Sequence, residues 1–157
     1  MKEIDLRTAM ELSGPYSLAL VVMVDKKGKP NARAVTWWTF TSYQPPMLAI
    51  AIAKTGYSPE CLEESKEFAL CLPSRGQEKA AWVCGTKSGR DTDKFKEAGI
   101  TAIPSKVVRP PIIEGSTAAY ECKIIQQIDC GDCTLYNAEI VAMYADFERL
   151  EHLMGII

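Results

Sequence analysis

Two runs late in the chain, AAYECKIIQQID (118–129) and TLYNAEIVAMYAD (134–146), are separated only by CGDC. Both are rich in β-branched and aromatic side chains, so they read as long strands. Strands joined by so short a link form an antiparallel hairpin, because a parallel pair needs a crossover of a dozen residues or more. A hairpin of this length needs a sheet around it, and the rest of the chain supplies the strands. YSLALVVMVD (16–25) reads as a buried strand that stops at the turn KKGKP, and ARAVTWW (32–38) as its return arm. Tyr43–Pro46 break the pattern before MLAIAIAK, a further strand, and EFALCLP is another.

Helical signals are short and lie between these strands. Ser58-Pro59-Glu60 reads as a helix start, with serine as cap, proline at the first helical position and an acid in the first turn. QEKAAWV reads as helical. DTDKFKEAG reads as a short helix closed by Gly99 after the loop CGTKSGRD. A proline-bearing stretch, IPSKVVRPPIIEG, follows, and the terminal FERLEHLMGII is expected to be helical. Strands do not alternate regularly with long helices, so a doubly wound parallel sheet is not favoured. A closed or nearly closed antiparallel barrel, mainly β with a few short inserted helices, fits best. With 157 residues the chain is expected to be one domain, 1–157.

The net charge is −2 and no basic block is present, so a surface built on phosphate neutralisation along a nucleic acid is not expected. No apolar run reaches the roughly 18 residues of a membrane span. MKEIDLRTAMELS carries acids throughout and no cleavable apolar core, so a cytoplasmic protein is expected. Without an export signal the six cysteines do not read as a disulfide framework. Neither GxGxxG after a strand nor GxxxxGK[ST] occurs.

Three places can carry chemistry. Lys54-Thr55-Gly56-Tyr57-Ser58-Pro59 ends a strand and opens a helix, where free N–H groups, a lysine and two hydroxyls suit an anion such as phosphate. A capped helix with a solvated lysine uses the same residues. In CGTKSGRDTDKF, Lys94 lies near a helix start, where a cation opposes the dipole unless a partner offsets it. A binding site can supply that partner, and so can Asp91 or Glu97. Third, AVTWWTFTS places two tryptophans side by side. Strand side chains alternate, so at most one of Trp37 and Trp38 joins a given core. The other is left for a flat ligand or a subunit contact.

In this order the three segments resemble the flavin-reductase-like FMN-binding split barrels, including the flavoredoxins. The resemblance runs from Tyr16 to Asp146. It rests on LALVVMVDKKGKPNARAVTWWTFTSYQPPMLAIAIAK, on CGTKSGRDTDKF, and on GDCTL in the late hairpin. It implies a homodimer of Greek-key split β-barrels with FMN near the dimer contact. It places Asn31, Trp37 and Trp38 along the isoalloxazine and ribityl chain, with Thr36 and Thr39 beside them. It assigns Lys54, Thr55 and Ser58 to the phosphate, and Ser88, Gly89 and Lys94 to the second loop against the flavin. There the lysine charge would favour the reduced cofactor. Cys133 stands where relatives often carry a flavin-contacting histidine. The chain also stops soon after Asp146, where relatives continue with a tail bearing an aromatic.

The implied function is that of an FMN-dependent oxidoreductase, a flavin reductase or a flavoredoxin-like electron carrier. Electrons would come from a nicotinamide nucleotide or a redox protein and leave to free flavin, ferric iron or a partner protein. No catalytic side chain is required, and the sole histidine, His152, is a weak candidate for a general base. The alternatives are an FMN store or sensor without turnover, and a dimeric interaction domain that has lost the flavin. The CGDC pair reads as an inert turn, as a dithiol couple beside the flavin, or as half a zinc knuckle. No second CxxC or spaced histidine completes the last, and no metal site is expected.

Overall fold

The computed structural model describes residues 1–148 and 154–155. Helix α1 (Leu6–Ser13), capped by Asp5, precedes strands β1 (Tyr16–Ser17), β2 (Ala19–Val24), β3 (Pro30–Val35), β4 (Trp38–Ser42) and β5 (Met47–Ala53). Helix α2 (Ser58–Ser65) and β6 (Glu67–Leu72) follow. A 3-10 turn at Arg75–Gln77 then leads into α3 (Glu78–Thr86) and α4 (Lys94–Ala98). Short strands β7 (Ala102–Ile103) and β8 (Ile112–Ile113) precede the long hairpin of β9 (Ala118–Cys130) and β10 (Cys133–Ala145). The last described strand is β11 (Met154–Gly155), paired with β1.

Seven strands form one antiparallel sheet in the order β3-β2-β6-β9-β10-β5-β4. Its two edges, β3 and β4, are neighbours in the sequence, separated only by Thr36 and Trp37. Three Cα steps limit the gap there to about 11 Å. Seven strands laid flat at about 4.8 Å spacing would hold their edges about 29 Å apart. The sheet therefore curls into a barrel, as expected.

Its interior holds Val21, Met23, Leu48, Ile50, Phe68 and Tyr136, and α2 contributes Cys61 and Leu62 to the same cluster. The outer face of β2, β3 and β6 is also apolar. Leu20, Val22, Ala32, Ala69 and Cys71 there pack against Ala80, Val83 and Cys84 of α3 and Phe95 and Ala98 of α4. Burial on both faces explains why ALVVMV reads as a continuous apolar run instead of an alternating one.

The proline-bearing stretch is fastened to the sheet by a carboxylate. Glu121 of β9, fully buried, accepts N–H bonds from Lys106, Val107 and Val108 at 2.7–3.0 Å and the Tyr144 hydroxyl at 2.6 Å. Burial alone would raise its pKa, but these donors prevail and hold it below 4.5.

Several boundaries differ from the sequence reading. The return arm 32–38 is two elements, β3 ending at Val35 and β4 starting at Trp38, because the chain passes there from one sheet edge to the other. Ser58 is the first residue of α2 and not its cap, a position held by Tyr57 without a side-chain bond. Helix α3 runs on through Cys84-Gly85-Thr86, which the sequence reading placed in a loop. Where the terminal segment expected to be helical is described, at Met154–Gly155, it is a strand; residues 149–153 and 156–157 of that expectation lie outside the described residues. His152 lies outside the described residues.

Candidate functional site

The structure gathers residues from β3, α2, α3 and α4 around one cavity of about 260 Å³, lined by Arg33, Gly56, Tyr57, Ser58, Ser88 and Lys94 among others. Gly56 turns the chain from β5 into α2 with φ +102°, a conformation that side chains other than glycine rarely take. Ser58 follows and is buried. The start of α2 thus meets the loop between α3 and α4.

Lys94 is 5% exposed, a rare degree of burial for an ammonium. Its Nζ donates to the carbonyls of Ala32 at 2.8 Å and Cys84 at 3.2 Å. Of the alternatives the sequence leaves open, neither Asp91 nor Glu97 is its partner, and Glu97 instead meets Lys87 at 3.7 Å. Burial pushes the Lys94 pKa down, and the Arg33 guanidinium adds to that against the opposing influence of Cys84. A buried cation held only by neutral carbonyls, with a second cation close by, is a setting that an anion would relieve. Arg33 was missed by sequence reasoning. It has no carboxylate partner among the described residues, and its one sequence signal is a basic side chain on an otherwise small and apolar strand.

Beside the cavity, Asn31 is 4% exposed, and neither its Nδ2 nor its Oδ1 has a hydrogen-bond partner. Buried amides are almost always satisfied, so this one is set for a polar ligand. The Gly89 backbone lies directly against it. A Cβ at that position would collide with Oδ1 and stand 3.1 Å from Tyr57 Cδ1. Arg90 secures the same loop, since its guanidinium pairs with Glu60 of α2 and lies 5.1 Å over the Tyr57 ring. The Tyr57 hydroxyl donates to Asp25 at 3.0 Å.

The remaining sequence candidates fall in two groups. Trp38 is half-buried against the barrel interior, and its Nε1 donates to the Ser17 carbonyl at 2.9 Å. Trp37 is 43% exposed. One tryptophan therefore joins the core and the other does not, as strand alternation demanded. Thr36 is half-buried and Thr39 exposed beside them. Lys54 is paired with Asp129 at 2.6 Å, and Lys54 and Thr55 lie outside the cavity lining. Cys133 is buried, and burial pushes its thiol pKa up against the opposing influence of the Arg33 charge.

Residues 13–154 match the model of the flavin reductase like domain. The chain belongs to that family. The fold of this flavin-reductase-like chain is similar to that of flavoredoxin of Desulfovibrio vulgaris (Miyazaki F), with a TM-score of 0.84 and 30% identity over 99% of this chain and 84% of that one. It is 32% identical to an uncharacterized protein of Pyrococcus abyssi over 87% of this chain and 78% of the relative. It is 25% identical to an NADH-dependent FAD reductase of Streptomyces globisporus over 82% of this chain and 70% of that protein. The expected split barrel is therefore the family's architecture. A flavin suits the residues present: a cavity with two uncompensated cations for an anionic group, and an unsatisfied buried amide beside it.

Proposed function

We propose that this flavin-reductase-like chain binds FMN and works as an oxidoreductase, either a flavin reductase or a flavoredoxin-like electron carrier. The observation that carries the reading is the cavity lined by Arg33, which has no carboxylate partner among the described residues, and by buried Lys94, Ser58 and Ser88. An FMN phosphate would bind there through charge-assisted hydrogen bonds, which are about twice as strong as neutral ones. Asn31 and the Gly89 backbone would bracket the polar part of the cofactor, and Trp37 and Cys133 would lie towards the ring. When bound, the flavin supplies hydride and electron chemistry. The protein's part is to position it, to place positive charge beside it and to leave one face open to the donor. No acid, base or nucleophile is assigned.

The donor would be a nicotinamide nucleotide or a redox protein. Membership of the family and the likeness to a flavoredoxin and an FAD reductase support a flavin redox role. A homodimer would cover the exposed Phe40, Tyr43 and Met143, which otherwise leave apolar surface in water around a cavity of about 750 Å³. Among the described residues no helix is long and apolar enough to cross a membrane.

The deciding experiment is a visible absorption spectrum of protein purified without added flavin, repeated after FMN addition and desalting. The expected result is a retained flavin spectrum, bleached anaerobically by a nicotinamide nucleotide or a reduced redox protein. Retained flavin that no donor reduces would point instead to storage or sensing. No retention, with no reduction of free FMN in the presence of donor, would overturn the reading.

A further inference from the structure

We propose that Cys130 and Cys133 form a reversible dithiol–disulfide site that exchanges with low-molecular-weight disulfides. The two residues are register partners, Cys133 opposite Cys130, at the closed end of the hairpin of β9 and β10. Directly opposed side chains on antiparallel strands share a face, with Cα atoms about 4.5–5.5 Å apart. That Cα spacing lies within the roughly 4.4–6.8 Å a disulfide spans. Both thiols are free, Cys130 exposed and Cys133 buried.

The other four cysteines do not compete. Cys61, Cys71, Cys84 and Cys122 are all buried. Burial pushes Cys71 up to about 12 and Cys84 up to about 11, and it raises Cys61 and Cys122 as well. Thiols kept protonated and away from solvent do not meet an incoming disulfide. Accessibility therefore assigns the entering nucleophile to Cys130, and proximity assigns the second thiol to Cys133. Burial keeps Cys133 a neutral thiol at rest.

The exchange balances without a further reactant. Cys130, as thiolate, attacks one sulfur of the incoming disulfide, forming a mixed disulfide and expelling one thiolate, which takes up the proton Cys130 has lost. Cys133 then gives up its proton and attacks the Cys130 sulfur. The mixed disulfide breaks, the protein disulfide forms, and the second thiol leaves with that proton. Two protein thiols are oxidised and one disulfide is reduced to two thiols.

The site is fastened to the anion cavity's own segment. Within the turn, the Asp132 carbonyl accepts the Lys54 N–H at 2.9 Å, and Cys133 pairs in register with Ala53 at the end of β5. Asp129, next to Cys130, holds the Lys54 ammonium.

The test uses the reduced protein as purified, incubated with excess glutathione disulfide, acid-quenched, alkylated and read by intact mass and peptide mapping. The expected result is loss of two of the six thiols and of the mass of two hydrogens, a Cys130–Cys133 crosslink, and full reversal by dithiothreitol. C133S should stop at a glutathione adduct on Cys130, and C130S should lose no thiol. Wild type that keeps all its thiols, or accumulates the glutathione adduct, or crosslinks between chains, would overturn the proposal. Because the readout needs no flavin, its failure is distinct from failure of the FMN reading.

Discussion

Lys94, the first residue of α4, donates to the Ala32 carbonyl of β3 at 2.8 Å, so the loop bearing Ser88 and Gly89 is tied to the strand bearing Asn31 and Arg33. Replacing Lys94 by Met removes both the tie and a charge facing the cavity. A charge-assisted hydrogen bond contributes about 1.5–3 kcal/mol, and K94M should therefore weaken FMN binding by roughly 10- to 100-fold in a fluorescence titration. The same residue sets a pH dependence. Its pKa is lowered from 10.5, and only the ammonium form attracts an anion. FMN affinity should fall as pH rises through that lowered value, while in K94R the fall should be absent, because arginine does not deprotonate. Equal pH profiles in the two proteins would remove Lys94 from the site.

Arg33 and Lys54 make opposite predictions. The Lys54 charge is already committed to Asp129, whereas Arg33 has no carboxylate partner among the described residues. R33A should weaken FMN binding about tenfold or more, and K54A by no more than a few fold, since Lys54 has to leave its ion pair to help. Parallel titrations of the two variants decide which cation serves the phosphate.

Gly89 tests the loop geometry. In G89A the new methyl meets Asn31 Oδ1 and crowds Tyr57, so either the amide or the loop has to move. FMN affinity should drop by at least tenfold, with little change in melting temperature because the loop is at the surface. N31A alone, which removes the collision, should restore the loop in G89A/N31A but not the affinity.

Glu121 governs stability, not binding. E121A leaves three backbone N–H groups and a tyrosine hydroxyl without their acceptor and should cost about 3 kcal/mol in urea unfolding. The pH dependence has a definite sign. The folded-state pKa lies below 4.5, so as pH falls the unfolded chain takes up the proton first. Wild type should lose stability through the window below 4.5, and its advantage over E121Q should shrink there.

What could be read from the sequence was whatever local chemistry controls. The CGDC hairpin, the strand at 47–53 and the Gly99 stop each rest on contacts between residues close in the chain, and each is found. The split between Val35 and Trp38 was hidden, because the apolar pattern continues across it and only the curl of the sheet marks the boundary. Lys94 gave a partial signal. Its conflict with the helix dipole was visible, but its partner Ala32 lies 62 residues earlier, beyond the reach of any spacing rule. Arg33 gave less, since a lone basic residue in PNARAV looks like a solvated strand position until α2 and α4 fold over it.

The two residues between β3 and β4 carry a consequence for how such a chain can change length. Surface connections generally accept extra residues. Thr36 and Trp37 are a connection of another kind, the single covalent stitch across the barrel's seam, with the Trp37 carbonyl bonded to Ala51 N–H at 2.9 Å. One added residue would slide β4 by a position against β5 and turn Trp38 outward, undoing the packing that hides the indole. Insertions and deletions should therefore spare this joint and accumulate in the turns that lie away from it.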